Sequence, residues 1–88
     1  MQQTIPTKKG QVVRICNPLP GEDPNTEYVV AEDPTPYENN RQITIFPVSE
    51  LLRVAKGGGI PFSNRIERGD LTVIGESLDE WLSGSSSV

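Results

Sequence analysis

Three short segments in the first half of the chain have the hydrophobic pattern of β-strands. Residues 11–16 and 27–32 are dense in β-branched and aromatic side chains, a composition typical of strands. In residues 41–46 apolar and polar side chains alternate, which places the two isoleucines on one face of the strand and Thr44 and Phe46 on the other. The pattern therefore predicts three strands before residue 47.

Two loops rich in turn-forming residues separate these strands. Residues 17–26 contain three prolines, one glycine and two asparagines, which excludes a helix or a central strand. Leu19 is the one residue expected to anchor this loop to the core. Residues 33–40 contain two further prolines and end in an asparagine pair, which tolerates left-handed turn geometry.

The hydrophobic period changes from two to about 3.6 residues after Pro47. Ser49 can cap the start of a helix and the glycines at 57–59 can end it. A helix of about two turns is not stable alone, so it must pack on the sheet. Its predicted buried face consists of Val48, Leu51, Leu52 and Ala55.

The region after this helix is predicted to be irregular until a last strand. Residues 60–68 have no clear period, and the expected core anchors there are Ile60, Phe62 and Ile66. Residues 68–70 (Arg-Gly-Asp) have the composition of a turn, and residues 71–74 have that of a strand.

The C-terminal segment has the signature of a helix start. Ser77 followed by glutamate three residues later forms a capping box, and Leu78, Trp81 and Leu82 then share one helix face. We expect a flexible N-terminus at residues 1–9, one small β-rich domain at residues 10–83, and a disordered serine-rich tail at residues 84–88.

The composition fits a small mainly β domain. The 88 residues include eight glycines and eight prolines, which favours many turns and short elements over a helical bundle. The predicted fold is a small barrel or curved antiparallel sheet with one inserted short helix and a short C-terminal helix. Closure of the sheet would remove exposed strand edges.

The residue set argues against conventional catalysis. The chain has no histidine, which removes the usual nucleophilic triads and the common zinc and iron ligand sets. The adjacent acidic pairs are more simply explained as solvated charge, and Cys16 is expected to be a small buried hydrophobe. We therefore predict no enzymatic activity, no metal and no cofactor.

The net charge and the apolar profile limit the partners and the location. The formal charge is −4, whereas nucleic-acid binding usually requires a basic stripe. Residues 1–20 have no signal-like apolar run, no stretch is long enough to span a membrane, and the single cysteine suits a reducing interior. These features favour a cytoplasmic location without membrane association.

The best candidates for partner contact are aromatic. Tyr37 lies in a proline-rich loop and Phe62 follows a proline, positions in which an aromatic ring can be exposed to a ligand. Trp81 could pack its helix onto the sheet or serve as an interaction anchor. We predict Tyr37, Phe62, Arg65 and Trp81 as binding residues.

The order of the elements between residues 10 and 75 resembles that of small bacterial SH3-like barrel domains. The features that carry the resemblance are Val12-Val13-Arg14-Ile15, the long proline-rich loop before Tyr28, and the closing segment 70–74. The chain lacks the acidic-aromatic motif and paired tryptophan with which SH3 domains bind polyproline peptides. It also lacks the basic glycine loop of ribosomal and transcription-factor barrels, and the helix after Phe46 is an insertion.

Taken together, these features predict a non-enzymatic protein-interaction or scaffolding module that can self-associate. The alternative is a nucleic-acid-associated accessory module. Its local basic patch would consist of Arg41, Arg53, Lys56, Arg65 and Arg68.

Overall fold

The apolar segments of the sequence become the strands of a single sheet in the computed structural model, which describes residues 4–18, 20, 21, 23 and 25–81. The elements are β1 (Val12–Ile15), β2 (Tyr28–Val30), β3 (Gln42–Pro47), α1 (Val48–Ala55), β4 (Asn64–Glu67), a 3₁₀ helix (Arg68–Asp70) and β5 (Leu71–Gly75).

The sheet is antiparallel, with the strand order β4-β3-β2-β1-β5. The first four strands follow one another across the sheet, and β5 returns to pair with β1 on its far side. The pairing of β1 with β5 is irregular between Val12 and Val13, and such bulges increase the local bend of a strand. The predicted mainly β class with short helices is confirmed.

One face of the sheet forms the main core. Every strand contributes to it, so the sheet curves around a common apolar interior. In β3 the predicted alternation is confirmed, because Ile43 and Ile45 are fully buried whereas Thr44 and Phe46 are half-buried. The buried members of this interior cluster are Val13, Ile15, Tyr28, Val30, Ile43, Ile45 and Leu71, with Ile66 and Val73 packed against them.

The opposite face of β1 and β2 is also buried, under the two helical segments. Val12 and Val29 lie opposite each other on these strands, and Val48 of α1 completes a second buried cluster. The partly buried side chains packed on it are Leu51, Ile74, Leu78 and Trp81. This two-sided burial explains why β1 carries apolar residues on both faces, Val12 on one and Val13 and Ile15 on the other.

The structure corrects two expectations about α1. Pro47 occupies its N-cap position and no side chain caps its first turn, so the predicted cap by Ser49 is wrong. Leu52 is 42% exposed, and Ala55 is exposed too. The buried side of α1 is therefore narrower than predicted, because a two-turn helix touches the sheet mainly through Val48 and Leu51.

The segment predicted to be irregular contains a strand. Asn64–Glu67 pairs with β3 in the register Ile43↔Ile66 and Thr44↔Arg65. The sequence pattern missed this strand because three of its four residues are exposed. Backbone pairing with β3, and not an alternating apolar pattern, holds it in place.

Residues 4–11 are hydrogen-bonded to the sheet and to the segments around it. The Val73 amide donates to the Thr4 carbonyl at 2.7 Å, next to the free side of β5. Gln11 is the one buried polar residue among those that the structure describes. Its side-chain oxygen accepts the amides of Thr7 and Lys8 at 2.7 and 3.0 Å, and its Nε2 donates to Glu76 at 3.0 Å. Of the predicted flexible N-terminus, only residues 1–3 lie outside the description, as do Leu19 and the predicted tail at 84–88.

Candidate functional site

The loop between α1 and β4 carries the two most exposed of the large apolar side chains in the described residues. Ile60 is 86% exposed and Phe62 is 72% exposed, with Pro61 between them. We call these three residues the apolar loop. Ile60 and Phe62 were expected among the core anchors of this region, and that expectation is wrong. Of the three proposed anchors, only Ile66 packs against the interior cluster.

Two charged residues of α1, Glu50 and Arg53, hold this loop, and we call the pair the clasp. Arg53 donates from Nε and Nη2 to the Glu50 carboxylate at 3.3 and 2.9 Å. The same guanidinium donates to the Gly58 carbonyl at 2.7 Å and to the Ile60 carbonyl at 3.1 Å. Glu50 accepts the Phe62 amide at 3.1 Å. The clasp therefore binds backbone on both sides of Pro61.

The glycine run before the apolar loop is what lets the chain approach Arg53. Gly57 and Gly59 have φ values of +100° and +55°, which side-chain-bearing residues rarely adopt. A Cβ at Gly58 would lie 3.0 Å from both Nη1 and the carbonyl oxygen of Arg53. Glycine is thus favoured at 58 by the tight space and at the other two positions by backbone conformation.

The charges of the clasp reinforce each other. Hydrogen bonds from Arg53 and from the Phe62 amide lower the pKa of Glu50, and the Glu50 carboxylate raises the pKa of Arg53. The Glu50 side chain is 20% exposed and that of Arg53 is 44% exposed, so the ion pair alone stabilises little. Its importance lies in the three backbone groups that it fixes.

Another group of polar side chains lies around Glu32, just after β2. We call Glu32, Tyr37, Thr44 and Arg65 the Glu32 cluster. The Glu32 carboxylate accepts the Thr44 amide at 2.8 Å, and the Tyr37 hydroxyl approaches the same group. Arg65 lies opposite Thr44 on β4 and adds a favourable charge. The structure thus brings together Tyr37 and Arg65, two of the four predicted binding residues.

Hydrogen bonds from Thr44 and Tyr37 lower the pKa of Glu32, and the hydrogen bond to the Glu32 carboxylate, with the charge of that carboxylate, raises the pKa of Tyr37. A carboxylate whose pKa is lowered in the folded state stabilises the fold at pH values above its ordinary pKa of 4.5, and this contribution is lost as pH falls through the folded pKa.

We expect a Glu32→Gln variant to lose stability less steeply than the wild type below pH 4.5, as measured by urea unfolding at several pH values. Tyr37→Phe, which keeps the Thr44 contacts, should show an intermediate slope. Equal slopes for all three proteins would contradict this origin of the shift.

Trp81 lies apart from these clusters. Residues 78–81 are helical, and the Ser77 hydroxyl accepts the Glu80 amide at 3.1 Å, which confirms the predicted cap. The Trp81 ring is half-buried against the second cluster. A Cβ on Gly75 would be 3.3 Å from that of Trp81. Of the two roles that the sequence left open for Trp81, packing is the one for which the structure supplies contacts.

Much of the predicted basic patch is engaged with acceptors of the protein itself. Arg53 belongs to the clasp, and Arg68 donates to the carbonyls of Pro6 and Tyr37 at 3.0 and 2.7 Å. Arg65 lies near Glu32 and 3.5 Å from the Gln42 carbonyl. A nucleic-acid phosphate would have to compete with these acceptors. The nucleic-acid alternative stays a prediction.

Cys16 is exposed, so the prediction of a buried side chain is wrong. The reason is that Cys16 follows the last residue of β1 and does not belong to either buried cluster. Partial desolvation and the Asp70 charge raise the pKa of its thiol, which lowers the thiolate fraction and with it the reactivity.

Within residues 4–81, as far as these are described, no three histidine, cysteine or acidic side chains gather where a metal could bind. No helix in this part of the chain is long and apolar enough to cross a membrane.

The four predicted binding residues therefore fall into three places. Phe62 is in the apolar loop, Tyr37 and Arg65 flank Glu32, and Trp81 packs on the second cluster. Sequence reasoning missed the clasp, although Glu50 and Arg53 stand at the i, i+3 spacing that favours an ion pair on a helix. Comparison with known proteins yields no match to the chain among protein-family models, curated proteins or solved structures.

Proposed function

We propose that this domain is a non-enzymatic protein-interaction module that docks a protein partner through the apolar loop. The observation that carries the proposal is the clasp. It holds the backbone of the apolar loop in one conformation while the side chains of Ile60 and Phe62 remain largely exposed. Single exposed apolar residues are common on protein surfaces. Two such residues in one short loop whose backbone accepts or donates three hydrogen bonds to the clasp are not explained by packing within the domain.

The physical advantage of this arrangement is preorganisation. Burial of Ile60 and Phe62 by a partner would contribute roughly 25 cal/mol per Å² of apolar surface removed from water. Ordering a flexible loop on binding opposes association, and the clasp removes much of that penalty in advance. Leu52, half-exposed on the preceding helix, could widen the contact.

The architecture supports a further part of the proposal, that the scaffold is an SH3-like barrel of the small bacterial type. The strand order β4-β3-β2-β1-β5 and the long loop before β2 agree with the resemblance drawn from the sequence. The apolar loop belongs to the inserted segment between β3 and β4. Partner recognition through it would thus differ from polyproline binding. A cytoplasmic location remains a proposal based on the lone cysteine.

A quantitative binding experiment tests the proposed surface. The purified domain would be used to capture partners from lysate of its source cells, and a captured protein would then be purified and titrated. We expect Ile60→Ser/Phe62→Ser to weaken that interaction by roughly 30-fold or more, because apolar anchors dominate interface energies. Tyr37→Ser is the matched control, since it removes an exposed aromatic side chain from the Glu32 cluster instead.

The two variants separate the possible outcomes. Loss of binding only in the Ile60/Phe62 variant supports the apolar loop, whereas loss only in Tyr37→Ser would transfer the interface to the Glu32 cluster. Unchanged affinity in both variants would contradict the proposal. Capture that disappears with nuclease and falls steeply with salt would favour the nucleic-acid alternative.

A further inference from the structure

Strand β4 is an edge of the sheet with backbone groups that have no partner strand. The Thr44 carbonyl accepts from the Ala31 amide, and the Arg41 carbonyl accepts from the Arg68 amide. Because backbone groups alternate in direction along an antiparallel strand, Ile66 pairs its amide and carbonyl with β3. The amides and carbonyls of Arg65 and Glu67 then point away from the sheet.

The two edge strands of the sheet, β5 and β4, differ in whether another segment covers them. Beside β5, the Thr4 segment approaches and accepts the Val73 amide at 2.7 Å. Beside β4, no backbone hydrogen bond to another described residue involves Arg65 or Glu67 on the outer side. Exposed edges tend to pair with other chains unless they are covered or blunted.

An open cleft runs along this edge. Its volume is about 410 Å³, and Ile66 and Ile15 of β1 are the apolar residues of its lining, beside polar residues that include Arg65 and Glu67. The cleft therefore offers space and an apolar wall next to unpaired backbone groups. An added strand would meet both.

The side chains of β4 identify the strand that fits. Charges on an edge strand often prevent pairing, but here Arg65 and Glu67 are opposite in sign and flank Ile66. When two copies of β4 pair antiparallel about Ile66, each Arg65 faces Glu67 of the second copy. That register also pairs the outward amides and carbonyls of these two residues, giving four backbone hydrogen bonds. The strand is thus complementary to itself in charge and in hydrogen bonding.

We propose that β4 mediates homodimerisation, with two copies of the chain pairing antiparallel about Ile66 to form a sheet continuous across the two-fold axis. The proposed contact uses the backbone edge of residues 65–67 and not the side chains of the apolar loop. The contact is short, and short contacts give weak association. The dimer should therefore be sought at high protein concentration.

The test is a charge exchange. Sedimentation equilibrium gives the mass of the species in solution, and NMR amide shifts locate the contact. The protein concentration should reach roughly 1 mM, because weak contacts have dissociation constants of that order. We expect a concentration-dependent dimer, with shifts at the amides of Arg65 and Glu67. Arg65→Glu or Glu67→Arg puts like charges opposite each other at two symmetric places and should weaken dimerisation roughly tenfold or more. The double exchange restores opposite charges and should return the affinity to within a few-fold of the wild type.

Each other outcome overturns the proposal. A wild-type protein that is monomeric throughout has no such interface. Single variants that dimerise like the wild type, or a double variant that does not recover, would exclude the register. Ile60→Ser/Phe62→Ser should dimerise normally; if it alone abolishes the dimer, the copies meet through the apolar loop and not through β4. Thermal unfolding of every variant distinguishes lost pairing from lost folding.

Discussion

Truncation of Ile45 to alanine is expected to lower the free energy of unfolding by about 2–5 kcal/mol, because it leaves a cavity in a close-packed interior. Ile45 has no exposed surface, and its strand lies between β2 and β4. The side chain belongs to the interior cluster, to which all five strands contribute. Its loss should therefore loosen the whole sheet.

An effect of this size is large for so small a domain. Stabilities of roughly 0.05–0.15 kcal/mol per residue give the 88-residue chain only a narrow margin. We expect the variant to be partly unfolded without denaturant, as measured by urea titration with circular dichroism. Gln42→Ala, at an exposed position on the same strand, is the control and should change stability by less than about 0.5 kcal/mol. A wild-type midpoint for Ile45→Ala would contradict the packing described for β3.

Replacement of Trp81 by alanine is the second large effect, and it also decides between two roles. Trp81 packs on the second cluster, over the face of β1 and β2 that carries Val12 and Val29. Truncating a fully buried tryptophan costs about 3–5 kcal/mol, and a half-buried one should cost about 2–3 kcal/mol. The C-terminal helical turn should detach in consequence, since so short a helix is not stable alone.

This measurement must use circular dichroism, because Trp81 is the only tryptophan and its fluorescence disappears with it. Glu80→Ala is the control, as Glu80 is exposed on the same turn. The opposite result would be unchanged stability of Trp81→Ala together with loss of partner binding. Trp81 would then be an interaction anchor, and the apolar loop would no longer be the leading candidate surface.

Local sequence signals were sufficient for elements whose pattern is set by near neighbours. The alternation of β3 and the apolar run of β1 predicted strands, because side chains project to alternate faces of an extended chain. The cap of the C-terminal turn was predicted from Ser77 and Glu80, which interact across one turn. The absence of histidine limited the chemistry without any knowledge of the fold.

Candidate site residues were predictable by type but not by position. An aromatic residue after a proline marked Phe62 as a residue that could be exposed. Its exposure depends on Glu50, which is twelve residues away along the chain and bonds the Phe62 amide. The meeting of Tyr37 with Arg65 depends on the pairing of β3 with β4. No local pattern encodes either contact.

The sequence by itself determined the class of the fold, four of the five strands, the two helical segments and the residue types available for chemistry. Only the tertiary structure decided that residues 64–67 form a strand, that Ile60 and Phe62 face solvent, and that Cys16 is exposed. The physical reason is the range of the interactions. Propensity and periodicity act over a few residues, whereas edge-strand pairing, the clasp and burial depend on segments that folding brings together from distant parts of the chain.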